Sequence, residues 1–326
     1  MAKTGGRQVH VGLGIEATAG TPVAETVFFP WASLSVQGIA EKALFNSARG
    51  VRNMASNSMI RRKYAQGSIS VIPNVINAPY FFGMALGTVG TTGPVDSAYE
   101  HTCSVQNSNA SMKPATLTIE EGGVQTTQYS NVVCNSLNLD VSDNYASMSM
   151  EVIGMFPGTD TVTEAYTEET EFAYHQMTIK FGTSISNASG NGATPVKAFS
   201  LNINNNVLLD EAFLSGSNGI TAGGLIAGAM QITGSYSLHF ENTTELDKYK
   251  ANTKNAAIVS FIGGLIGAGE AEQIDINLGK LVLTSPPVEH NLDGLLILNQ
   301  EFELEYGATD TDITVVVTNE DAGSDY

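Results

Sequence analysis

Residues 9–17, VHVGLGIEA, place Gly12, Gly14 and Ala17 in the Gly-x-Gly-x-x-Ala order that can cradle a dinucleotide pyrophosphate. That chemistry needs a helix directly after the glycines, so that its N-terminus meets the phosphates. Here Thr18-Ala19-Gly20-Thr21-Pro22 follows and breaks a helix at once, which leaves a turn between short strands. The five histidines, His10, His101, His175, His239 and His290, have no HxxxH or HxH spacing, and neither cysteine lies in a CxxC, so the spacing gives a zinc site no support. Glu120-Glu121 could pair carboxylates for glycoside hydrolysis, but adjacent acids at a strand end read as solvated surface. The sequence has no GxSxG elbow and no phosphate-binding loop. The expectation is a protein without catalytic residues, cofactor or metal.

Charge is distributed unevenly. Lys42, Arg49, Arg52, Arg61, Arg62 and Lys63 fall within 22 residues and are 6 of the 15 basic residues, against 33 acidic ones and a formal charge of −18. A chain this acidic repels a nucleic-acid backbone, whose binding depends on neutralising phosphates. The basic cluster sits in a long, weakly periodic connection at 37–65. Its core, Asn46-Ser47-Ala48-Arg49-Gly50-Val51-Arg52, has little to bury and is expected to order against a partner. The plain reading is a solvated loop. The functional one is a loop that docks on an acidic surface of another copy.

The elements that would position such a loop are mainly strands. At 326 residues the chain has room for about two domains of roughly 150 residues. Apolar residues make up 42% and charged residues 15%. Abundant Ser, Thr, Asn and Gly accompany them, which suits strands and turns. Cys103 and Cys134 form no disulfide framework and read as reduced thiols of a chain that folds in a cytosol. Residues 1–8 read as a loose arm with no export signal, and 319–326 as a frayed end. The longest apolar stretch, 256–269, has 14 residues and four glycines, short of the about 20 needed to span a bilayer; it reads as a buried strand after a helix.

The strands are arranged twice. Ser33-Leu34-Ser35-Val36 recurs as Ser200-Leu201-Asn202-Ile203, Gly67-Ser68-Ile69 as Gly234-Ser235-Tyr236, and Leu137-Asn138-Leu139 as Leu304-Glu305-Tyr306, each shifted by 167 residues (33 to 200). The same shift takes Asn77, the expected N-cap of a helix near 77–87, to Thr244, the expected cap of a helix at 244–250. Residues 116–120, 135–141 and 146–153 alternate as strands, with a hairpin turn at 142–144. In the second half, 280–284, 301–306 and 313–317 take these parts, with a turn at 308–312. Residues 158–171, with Asp160, Glu164, Glu168, Glu169 and Glu171, read as the linker. The expected fold is mainly β. Two tandem domains, 1–160 and 161–326, would each be a β-sandwich or bent sheet with one packed helix. The connection matching 37–65, at 204–231, has no Lys or Arg and carries Asp210 and Glu211.

The opening run from Gly12 through Glu16, Gly20 and Pro22 to Ala24 resembles the start of tail tube proteins of long-tailed bacteriophages. So do the second-half run Phe199-Ser200-Leu201-Asn202-Ile203-Asn204-Asn205-Asn206, Ile232-Thr233-Gly234-Ser235 and Phe240-Glu241-Asn242. The resemblance implies a duplicated major tail protein that polymerises into stacked rings, its strands joining a barrel around a channel and its helices packing outside that barrel. Three copies would make a pseudo-six-fold ring, and six copies with one half outside is the other arrangement. DNA would pass without specific binding along a lumen face carrying Asp140, Glu303 and Glu305. Rings would stack through Arg49, Arg52, Arg61, Arg62 and Lys63. Implied partners are other copies of the chain and the tail-terminator, tape-measure and tail-tip proteins, with no membrane, in a virion tail assembled in the host cytoplasm. The competing readings are a secreted or virion-surface β-sandwich adhesin, for which the lone Trp31 makes no stacking platform, and a hydrolase on a β scaffold, for which there is no nucleophile–base signature.

Overall fold

The computed structural model describes residues 5–46, 50, 52, 57–107, 112–142, 144–167, 170–214, 216–240, 243–267, 269–285, 288–289, 296–306, 312–323 and 326, without the side chains of Val288 and Glu289. Arg49 and most of its run, Asp143 of the expected first hairpin turn, residues 308–311 of the second, Glu168, Glu169, Glu241, Asn242 and His290 lie outside the described residues.

In chain order the first half contains β1 (Val9–Ile15), β2 (Val27–Phe28), β3 (Ser33–Leu34), β4 (Gln37–Phe45), β5 (Asn57–Val71), helix α1 (Asn77–Leu86), β6 (Gly87–Val95), β7 (Ala98–Val105), β8 (Ala115–Glu121), β9 (Thr126–Val141), β10 (Ala146–Gly154) and β11 (Gly158–Thr159). The second contains β12 (Met177–Gly182), α2 (Ile185–Gly190), β13 (Ala198–Asn204), β14 (Gln231–His239), α3 (Thr244–Ala251), β15 (Asn255–Ile266), β16 (Glu270–Leu283), β17 (Val288–Glu289), β18 (Ile297–Leu304) and β19 (Ile313–Asn319). The fold is mainly β, and the named strand pairs are antiparallel.

One long sheet runs β3–β5–β10–β9–β13–β14–β18. A second runs β12–β15–β16–β19–β7–β6. A smaller layer, β2–β1–β8, joins the first through the start of β9. The strands β9 and β16 turn the corners. The first part of β9 pairs with β8 and its end with β10 and β13, while the end of β16 leaves β19 for β18. Such corners are made by strands that bend between sheets. The bend in β9 is at Asn131, whose φ is 51°.

That bend is held by Glu16. Its carboxylate is 3% exposed and accepts three hydrogen bonds, from the Asn131 N–H (2.8 Å), the Thr116 hydroxyl (2.9 Å) and the Gly20 N–H (2.7 Å). A buried carboxylate is tolerated only with partners of this kind. The glycines before it serve close packing. A Cβ on Gly14 would stand 2.3 Å from the Ala24 carbonyl oxygen, and β2 returns beside Gly12. The opening motif is therefore a strand, a connection and a returning strand.

Apolar side chains from both halves form one continuous core, including Ile69, Leu139 and Met150 from the first and Leu201, Val259 and Phe302 from the second. The ten residues of α1, NAPYFFGMAL, carry no charge and are all buried. Helix α3, TELDKYKA, carries four charges and has no buried residue. Both helices begin where the 167-residue shift places them, but only α1 is a core element. The cap also differs from expectation. Asn77 is the first residue of α1 and Ile76 stands at the N-cap position; the Asn74 side chain in the turn before it accepts from the N–H groups of Ile76 and Asn77 through Oδ1.

Three further expectations change. The described residues of 37–65 are not an irregular connection but the two arms of a long hairpin, β4 and β5, paired from Gln37 opposite Gln66 to Phe45 opposite Asn57 with a bulge between Glu41 and Lys42. The frayed end is anchored: Tyr326 packs on His101 and Tyr80 at 4.5 and 4.8 Å between ring centroids, and Asn319 is buried. The third repeat patch does not occupy the expected place. Ile69 faces Met150 and Tyr236 faces Gln300, so the strand that follows β14 as β10 follows β5 is β18, shifted by 150 residues (150 to 300) rather than 167.

Candidate functional site: a polar sheet face

The alternation that buries one side of the long sheet leaves the other side polar. Because register fixes which residues stand opposite, the polar side chains fall into rows. One row crosses seven strands as Ser33, Ser70, Ser149, Asn138, Asn202, Thr233 and Glu303. A second is Ser147, Asp140, Ser200, Ser235 and Glu301, and a third is Ser68, Glu151, Ser136, Asn204 and Gln231. The rows contain four carboxylates, Asp140, Glu151, Glu301 and Glu303, and no lysine or arginine.

The rows are internally bonded. The Ser200 and Ser235 hydroxyls are 2.8 Å apart, Asn202 donates to Asn138, and Gln231 Nε2 donates to Glu303 Oε1 at 3.1 Å. Ser136 Oγ donates to Glu151 at 3.2 Å. Such pairs satisfy much of the face's hydrogen-bonding capacity within the sheet, which weakens its grip on a passing ligand. Asp140, Glu301 and Glu303 border one shallow concavity. Partial burial holds the Asp140 carboxyl above its ordinary range.

Of the three acids expected on a common face, the structure brings Asp140 and Glu303 together. Glu305 lies beyond the end of β18 and pairs with Lys254 at the foot of β15; that hydrogen bond holds its carboxyl below the usual range. Glu151 and Glu301 were missed, although Ser147-Met148-Ser149-Met150-Glu151 already showed the alternation that places them.

The basic residues divide as well. Arg61 pairs with Glu41 on the same hairpin at 2.5 Å, and the hydrogen bond raises the guanidinium's pKa and lowers the carboxyl's. Arg62 donates to Asp210 at 2.6 Å and lies over the Phe213 ring at 4.6 Å. Lys63 Nζ lies 5.3 Å from the centre of the Phe156 ring, and its backbone N–H bonds the Asn218 carbonyl. The acidic second-half connection thus meets the basic hairpin of its own chain, a contact expected between copies. Arg52 is exposed on a bend and Lys42 is exposed on β4. Beyond the charges, the hairpin end exposes Leu44, Phe45, Met59 and Ile60, with Leu44 at 65% and Met59 at 57%.

Neither cysteine is a reactive thiol. Both are buried, and burial pushes Cys103 up to about 12 and Cys134 higher still. Among the described residues no helix is long and apolar enough to cross a membrane.

A hydrogen-bonded acidic face on a large antiparallel sheet, together with a hairpin that exposes apolar side chains, is the make-up of a protein that presents surfaces. The family model for phage tail tube proteins matches residues 6–316, and the chain belongs to that family. No curated protein matches it. The chain is therefore a structural component of a phage tail tube, a part of the virion that associates with further copies and with other tail components.

Proposed function

We propose that three copies close into a ring whose channel is lined by the polar rows, and that stacked rings form the conduit for DNA. The carrying observation is the set of polar rows across seven strands, with four carboxylates and no lysine or arginine. Like charge keeps a duplex from adhering, since its binding strength comes from phosphate neutralisation. The duplication supports three copies. Within one chain, β9 of the first half pairs with β13 of the second, and β13 corresponds to β3 by the 167-residue shift. The long sheet has β3 at one border, and at the other the edge of β18 carries the end of β16 and the short β17. Pairing the β17 border with β3 of the next copy repeats the internal joint, removes the open edges and gives six similar units.

The β4–β5 hairpin is the proposed contact between rings, with Leu44 and Met59 as its apolar anchors and Arg52 as a charged one. Arg61, Arg62 and Lys63 brace its base. Assembly takes place in the host cytoplasm, with tail-terminator, tape-measure and tip proteins at the ends and in the lumen. Electron microscopy of purified protein tests both parts. Rings with three-fold symmetry and tubes of constant width are expected, and Leu44→Ser/Met59→Ser is expected to yield rings or monomers without tubes. Six chains per ring, or normal tubes from the double variant, would overturn the corresponding part.

A further inference from the structure

Three segments distant in sequence meet at one end of the small sheet. His10 on β1 stands directly opposite Glu120 on β8. Glu164, from the segment after β11, reaches the same point, so that one donor atom from each of the three lies within 4.8 Å of the others. Tyr166 orients the imidazole. Its hydroxyl is 2.9 Å from His10 Nδ1, and the two rings are 5.7 Å apart. Tyr166 is itself fixed by a backbone bridge to Phe28 and by that residue's ring at 6.0 Å. With Nδ1 occupied, Nε2 faces Glu120 Oε2 across 3.7 Å.

A gap of 3.7 Å is too wide for a hydrogen bond but suits two ligands of one metal ion. Bonds of about 2.1 Å at a tetrahedral angle place donors about 3.4 Å apart, and a modest opening of the angle covers the rest. Glu164 is exposed on an irregular segment, so a small side-chain rotation brings its carboxylate to the same centre. A ligand histidine whose second nitrogen is held by a hydrogen-bond partner is the arrangement that sets the tautomer and the ring direction for a metal.

We propose that His10, Glu120 and Glu164 bind one divalent cation of the zinc class, with Tyr166 as the positioning residue. Imidazole with two carboxylates favours zinc and its first-row neighbours over magnesium, which prefers oxygen alone. The role is structural. The ion ties the acidic segment between the halves to the first strand of the chain, and water completes the coordination. The three donors come from strand or loop positions with no common motif, which is why histidine spacing gave no sign of them.

The test uses the full chain, stripped with EDTA and titrated with zinc chloride by calorimetry, with magnesium chloride in parallel and thermal unfolding as a second readout. One zinc per chain and a raised melting temperature are expected. Glu164→Gln and His10→Gln each abolish uptake, and Tyr166→Phe weakens it about tenfold or more. Circular dichroism checks the folding of each variant, and Glu164→Gln, at an exposed position, decides the matter if His10→Gln misfolds. No uptake by the unaltered chain, uptake unchanged in the folded variants, or magnesium bound as tightly as zinc would each overturn the proposal.

Discussion

Arg62 Nη1 donates to Asp210 Oδ1 at 2.6 Å, joining the base of the β4–β5 hairpin to the second-half connection 148 residues away. The Asp210 side chain is 83% exposed and that of Arg62 31%, so water screens the pair. An exposed ion pair contributes about 0–1 kcal/mol, and the Phe213 contact adds about 0.5–1 kcal/mol. A double-mutant cycle of Arg62→Ala and Asp210→Ala in urea is expected to give a coupling below about 1 kcal/mol. Charge reversal, Arg62→Glu, keeps the fold, and Arg62→Glu/Asp210→Arg recovers most of the loss. An assembly defect in Arg62→Glu that the second change repairs is an effect within the chain. A defect that persists belongs to the contact between copies.

Glu16 is a more costly residue to remove. Its carboxylate accepts from Asn131, Thr116 and Gly20 at the corner where β9 changes sheets. Glu16→Ala leaves buried donors without partners, each costing about 1–3 kcal/mol. A total loss of at least about 2 kcal/mol is expected, with a smaller loss for Glu16→Gln, which keeps one acceptor oxygen. Urea midpoints at constant slope measure both. A change in Glu16→Ala within about 0.5 kcal/mol, the range of an ordinary surface substitution, would remove the corner from the account of stability.

Asp140 makes the polar face sensitive to pH. Asp140 is exposed at its edge but crowded on the sheet face, and this partial desolvation raises its folded pKa above the unfolded value, so the ionised form mildly disfavours folding at neutral pH. The penalty is fully present above the folded pKa and fades as pH falls through it toward the unfolded pKa of about 3.9. Asp140→Asn is therefore expected to be more stable than the parent at pH 7, with the advantage shrinking as pH drops through that window. Denaturation curves between pH 7 and pH 3 follow it. An advantage that is constant with pH would assign the gain to the amide's hydrogen bonds instead.

Much of the scaffold was legible because alternation and register are local. Ser68 and Ser70 against Ile69 and Val71 already fix which side of β5 is core. Gly67 and Gly234, one shift apart, both sit where a Cβ would press on a neighbouring strand, 2.5 Å from the Ser35 carbonyl oxygen and 2.3 Å from that of Ser200. Pairing across distance was not legible. The junction of β9 with β13, the seating of β18 rather than β19 beside β14, and the approach of Asp210 to Arg62 depend on how the chain turns corners. The hairpin at 37–65 was missed because its end exposes Leu44 and Met59 and so lacks the half-buried pattern by which a strand is recognised. Asp140 and Glu303 could be placed on polar faces from alternation alone; that the faces join needed the whole sheet.

The channel reading makes its sharpest demand on charge. Asp140, Glu301 and Glu303 border one concavity, and no base accompanies them in the rows. If DNA passes over this face, reversing its sign should convert repulsion into retention. Tubes of Asp140→Lys/Glu301→Lys/Glu303→Lys, open at both ends, are expected to hold linear duplex DNA at low salt and to release it as salt rises. The logarithm of the binding constant should fall linearly with the logarithm of salt concentration, with a slope set by the number of phosphates neutralised. Tubes of the parent chain are expected to retain none under the same conditions. Because Glu301 and Glu303 are exposed, each of their substitutions alone should shift monomer stability by no more than about 0.5 kcal/mol. Retention is measured by sedimenting the tubes with labelled DNA across a salt series. Intact tubes of the triple variant that let DNA pass as freely as the parent would place these carboxylates outside the channel.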